Sequence, residues 1–265
     1  MRARSALFDL YGDHLRAHDD TAPVAALVRL LAAVGIAAPA VRTAVSRTVG
    51  QGWLEPVTTP TGPGYRATQM AVRRLDDAAD RIYRRTDQTW DGRWHLAVIT
   101  GPRERAARHR LRADLEWLGY APLADSVWVG PHARAELRPL VERAGATLVT
   151  AVGEQVEPAD APVRAWDLDE LADAYVTWTS WARELIARTP QDEDADRADF
   201  AARFHLVHEW RKFLFRDPGL PDTLLPSDWP GHAAASYFAD EAHRLESGAR
   251  RFVSRCLGGA ADSAP

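Results

Sequence analysis

The chain holds one cysteine, Cys256, and one lysine, Lys212, among its 265 residues. A single thiol closes no intramolecular disulfide and leaves no Cys-rich zinc spacing, so a reducing compartment fits. Long apolar runs are missing too. The longest uncharged one, Leu30 to Val41, spans twelve residues and contains Gly35 and Pro39, short of the roughly 20 that a membrane helix needs. The first twelve residues are broken by Arg2, Arg4 and Asp9, which leaves no signal-peptide apolar core. A cytoplasmic chain without a membrane span is therefore expected. Near-absence of lysine also means that 32 of the 33 basic residues are arginine. Arginine abundance alone then signals no phosphate binding, and position has to carry that argument.

What is present is ordinary for a folded protein: 46% hydrophobic and 26% charged residues. The length exceeds that of a usual single domain, so two or three units are expected. The net charge of -4 hides a split. Residues 1–85 hold 12 arginines against 8 acidic residues, or +4, and residues 86–265 hold 21 basic against 29 acidic, or -8. Only the first third is basic.

Apolar periodicity predicts a helix over Ser5 to Ala17 and a second over Val24 to Ala33, stopped by Gly35. A third begins at Pro39, with Val41, Ala44, Val45, Thr48 and Val49 facing inward, and ends near Gly50. Trp53 to Thr58 and Tyr65 to Thr68 flank a Pro- and Gly-rich turn and read as a β-hairpin; a further helix follows from Thr68. This order is that of a winged helix-turn-helix. On the third helix the residues not needed inward are Arg42, Thr43, Ser46 and Arg47, which the 42/46 and 43/47 spacings group on one exposed face. Arginine pairs with guanine edges or phosphates, and hydroxyls reach bases or backbone oxygens. Arg66 on the hairpin and Arg73 just after it are expected to meet adjacent phosphates of double-stranded DNA.

From Trp94 to Val152 the pattern reads β-α-β-β-α-β, with a helix at His132 to Ala144. This is the ferredoxin-like arrangement, which lays both helices on one sheet face. Helices are then predicted at Leu168 to Ala187, Ala195 to Phe215 and His232 to Arg255. The expected class is α+β, with a winged-helix DNA-binding domain over residues 1–88, a ferredoxin-like domain over 89–155 and a helical C-terminal domain over 166–257.

The run Val41-Arg42-Thr43-Ala44-Val45-Ser46-Arg47, followed by Gly52-Trp53-Leu54, closely resembles the PaaX family of bacterial repressors of phenylacetate catabolism. Trp90-Asp91-Gly92-Arg93-Trp94, Trp117-Leu118-Gly119-Tyr120, His208-Glu209-Trp210-Arg211-Lys212 and Leu225-Pro226-Ser227-Asp228-Trp229 resemble it further along. The resemblance implies a homodimeric repressor on a palindromic operator, with a Cas2-like central dimerisation domain. It also implies release by a small acid or acyl-CoA, phenylacetyl-CoA in the family prototype.

Trp178 and Trp181 at helical spacing, with His208 and Arg211, are candidates for contacting such an effector. The rival reading is a metal-dependent nuclease or hydrolase built on the Cas2-like or C-terminal domain. Its metal would need a carboxylate near the end of the first central strand, and Trp94 to Thr100 contains none. His205, His208 and Glu209 lack the zincin spacing. Neither catalysis, a catalytic residue nor a metal is expected.

Overall fold

The computed structural model describes residues 1–82, 90–190 and 194–258. In chain order, α1 (Ala3–Asp9) runs into a π turn at Leu10–His14, followed by β1 (Thr21–Pro23), α2 (Val24–Ala32) and α3 (Ala38–Gly50). The hairpin β2 (Leu54–Thr59) and β3 (Gly62–Ala67) leads to α4 (Gln69–Ile82). Next come β4 (Trp94–Thr100), α5 (Arg105–Trp117), β5 (Ala121–Ala124), β6 (Val127–Gly130), α6 (Leu137–Arg143) and β7 (Thr147–Gly153). Three long helices close the order: α7 (Leu168–Ala187), α8 (Ala195–Trp210) and α9 (Pro230–Leu257). No described helix is long and apolar enough to cross a membrane.

Two compact units share this chain, each drawn from separated stretches. The first combines Met1–Arg85 with Trp178–Arg211 and Ala234–Pro265. Its core joins Leu7, Leu10, Leu27, Leu30, Leu31, Val41 and Val45 to Phe200, Phe204 and Phe252 from α8 and α9. Helix α2 stops because Gly35 takes a φ of +81°, which lets Ile36 N–H bond back to Leu31 C=O at 2.9 Å. The hairpin pairs Leu54 with Ala67 through Thr59 with Gly62, and β1 adds to the other side of β3. Strand β1 escapes sequence reading because three residues carry no periodicity and its partner lies more than forty residues downstream, at Gly64 to Arg66.

Two helix predictions need correction. The expected single helix over residues 5–17 is α-helical only to Asp9, then widens into the π turn, closed by Leu15 N–H on Leu10 C=O at 3.1 Å. The helix expected to run from Ala195 to Phe215 ends at Trp210, and Arg211–Phe215 tighten into a 3-10 turn.

The second unit comprises Thr86–Thr177 and Lys212–Ala233. Its sheet is antiparallel throughout, ordered β5-β6-β4-β7. That order is the split β-α-β pattern: the first strand sits centrally and each helix crosses back over one face. Leu111 and Leu115 of α5 and Leu137 and Val141 of α6 share a core with Ala97 and Ile99 of β4, so both helices cover the same side. Gly119, at φ +84°, ends α5 as Gly35 ends α2, with Tyr120 N–H on Leu115 C=O at 3.0 Å. Helix α6 starts at Leu137, not at His132. Pro139 has no N–H to give to a preceding turn, so the helix can begin only where Pro139 falls in its first turn.

Candidate nucleic-acid interface

Helix α3 has two chemically distinct sides. Val41, Ala44, Val45 and Thr48 are buried, and Thr48 hides its hydroxyl by donating to Ala44 C=O at 2.6 Å. Arg42, Thr43, Ser46 and Arg47 are all exposed. The helix starts without a side-chain cap, relying on Pro39 in its first turn. Thr43 Oγ1 donates to Pro39 C=O at 3.0 Å, which leaves the hydroxyl oxygen free to accept. Two guanidinium groups and two hydroxyls therefore share one solvent-facing surface, a donor-rich patch suited to phosphates and guanine edges.

On the hairpin, Arg66 is exposed but not alone. Its Nε and Nη2 both donate to Glu55 Oε1, at 2.9 and 2.6 Å, across directly paired positions of β2 and β3. Sequence reasoning selected Arg66 and missed Glu55. The available signal was that these two are the only charged residues between Leu54 and Ala67. Arg73 and Arg74 lie exposed on α4, and the Arg74 guanidinium carbon sits 5.9 Å from the Trp53 ring centroid.

Three of the four effector candidates are engaged within the fold. Trp178 is buried, tilted against Trp210 at 4.7 Å between centroids and edge-on to Phe238. Trp181 is half-buried. His208 Nδ1 lies 2.6 Å from Asp9 Oδ2, and Arg211 Nε pairs with Asp9 Oδ1 at 2.6 Å. Further along, Arg216 reaches Glu170 at 2.6 Å. One helical turn on from Asp9, Asp13 binds Arg203 at 2.8 Å. The neighbouring His14 side chain is almost wholly buried, and burial, opposed by Asp13 and aided by Arg203, lowers its pKa to about 4. Among the described residues no cluster of three or more His, Cys, Asp or Glu side chains is arranged to hold a metal.

Comparison with known proteins gives this architecture a class. Residues 87–162 match the PaaX protein central Cas2-like domain, residues 166–255 the PaaX-like protein C-terminal domain, and residues 2–71 the PaaX-like protein family. The chain is thus a mixed α+β protein with a Cas2-like centre and a helical C-terminal part. It is 30% identical to the transcriptional repressor PaaX of Escherichia coli (strain K12), over 94% of this chain and 82% of that protein. Among solved structures it is similar to the uncharacterized protein Rv0674 of Mycobacterium tuberculosis, with a TM-score of 0.61 and 26% identity, covering 95% of this chain and 98% of the other. The chain belongs to the PaaX family.

Proposed function

We propose that this chain is a DNA-binding transcriptional repressor, not an enzyme, whose α2–α3–hairpin segment acts as a winged helix-turn-helix with α3 as the recognition helix. The observation that carries the reading is the two-sided α3: four apolar or self-satisfied residues anchor it, and Arg42, Thr43, Ser46 and Arg47 stand exposed on the other side. The kinship with a protein named a transcriptional repressor supports it. In this reading residues 1–88, 89–155 and 166–257 form the reading, dimerising and sensing parts. The first boundary lies outside the described residues. Arg66 and Arg73 follow the backbone on either side of the groove that α3 enters.

A homodimer fits the central sheet, where Val98 and Val149 are register partners on neighbouring strands and stand 38% and 66% exposed. Paired apolar residues open to solvent on a sheet are surface that a second copy would cover. A two-fold dimer reads a palindrome with half-sites about 34 Å apart, or a multiple of that. The effector, phenylacetyl-CoA or another acyl-CoA, would release DNA by binding the non-DNA conformation more tightly. Of Trp178, Trp181, His208 and Arg211, the last two could meet a ligand's anion only by leaving Asp9.

Selection from a random duplex library with the full-length chain tests the reading. Enrichment of an inverted repeat with one-turn spacing is expected; a pool that stays unenriched contradicts it.

A further inference from the structure

The hairpin β2–β3 contains two charges, Glu55 and Arg66, and they cancel in one cross-strand pair with both guanidinium donors on a single carboxylate oxygen. Their side chains are 44% and 53% exposed, so water competes for both and the pair is held weakly. From this geometry, and resting on the DNA-binding reading above, we infer that Glu55 is a positioning and specificity-determining residue. It neutralises the wing and keeps Arg66 from gripping phosphates until the recognition helix has found its site.

Ion release on binding decides what the wing contributes. A free arginine that meets a phosphate releases a condensed counterion from DNA, which drives binding to any sequence. Arg66 must first leave Glu55, and the carboxylate so exposed gathers a cation of its own beside the phosphates. The exchange then returns no net ion, and the wing adds nothing to sequence-independent affinity. Binding is left to α3, whose Arg42 and Arg47 have base edges as well as phosphates to contact. The hairpin carries no other charge that could offset this, so the electrostatic character of the wing is decided by one carboxylate. Held by two bonds along the strand pair, the guanidinium is also pre-aimed, with its remaining donors directed away from Oε1.

The test uses the full-length protein and a random-sequence 30-base-pair duplex, followed by fluorescence anisotropy from about 50 to 200 mM NaCl. Glu55→Gln keeps the side chain's length and removes its charge. It is expected to tighten binding on the order of tenfold at the lowest salt and to steepen the log–log salt slope by about 0.9 for each wing engaged. Arg66→Gln is expected to weaken binding. Glu116→Gln removes the same charge from another exposed arginine pair, Arg112–Glu116 in α5, and is expected to leave the slope alone, separating a local effect from one of net charge. If Glu55→Gln matches the unmodified protein, or Glu116→Gln steepens the slope equally, the inference is overturned. An Arg42→Ala, Arg47→Ala chain measured alongside distinguishes the two readings: lost binding there, with an unchanged Glu55→Gln, sinks the inference alone. Undiminished binding in that chain overturns the recognition-helix reading and the inference with it. Circular dichroism confirms that each variant is folded.

Discussion

Asp9 meets His208 across 199 positions of sequence, Oδ2 to Nδ1 at 2.6 Å, while its other oxygen takes Arg211. One buried carboxylate therefore ties α1, which packs beneath α3 in the first unit's core, to the end of α8. Removing one member of such a buried group leaves its partners without the contact that offset their burial. Asp9→Asn is expected to lower unfolding free energy by about 3 kcal/mol, measured as a reduced urea midpoint. A change inside the ±0.5 kcal/mol typical of surface substitutions would show that the clasp is not structural.

Stability should fall in mild acid through His14. Packed between Phe200 and Phe204, the ring is held neutral in the folded chain, its pKa lowered from 6.5 to about 4 by burial first, with Arg203 adding to it and Asp13 opposing. The unfolded chain takes up a proton below pH 6.5 and the folded one does not. Protons thus favour unfolding in the window from 6.5 down to about 4, by at most about 1.4 kcal/mol per pH unit. Urea midpoints at pH 7 and pH 5 measure this. In His14→Phe the drop between them is expected to shrink, and an identical drop would assign it to other groups.

Gly64 is the tight point of the hairpin. A Cβ there would come within 2.6 Å of both Ala22 O and Thr59 Cγ2, so β1 and β3 could not keep their spacing. Overpacking of this kind costs about 1–3 kcal/mol. Gly64→Ala is expected to lower thermal stability and, by displacing the wing, to weaken duplex binding. Gly62→Ala meets nothing within 4 Å but has a φ of +126°, and its penalty is one of backbone strain.

Much of this was legible in the sequence because it is local. The apolar stripe of α3, the glycine stops at Gly35 and Gly119 and the β-α-β-β-α-β order each rest on residues within a turn or two of one another. The four exposed residues of α3 follow from the same stripe, by exclusion. Long-range pairing was not legible. Nothing local shows that Thr21 to Pro23 will join β3, that Asp9 will claim His208 and Arg211, or that Phe200 and Phe252 will complete the core beneath α2. Glu55 falls between these cases: equal distance from the hairpin turn places it opposite Arg66, so a register argument would have found it.

Reading of DNA by the exposed face of α3 rests on Arg42 and Arg47. Its most direct test is anisotropy of the full-length Arg42→Ala, Arg47→Ala chain on a duplex recovered by selection with the unmodified protein. Two lost guanidinium contacts, at about 1–3 kcal/mol each if they reach base edges, predict at least a thirtyfold weaker complex, with the urea midpoint unchanged because neither residue packs in the core. Affinity equal to that of the unmodified chain, in a variant shown to be folded, would contradict it.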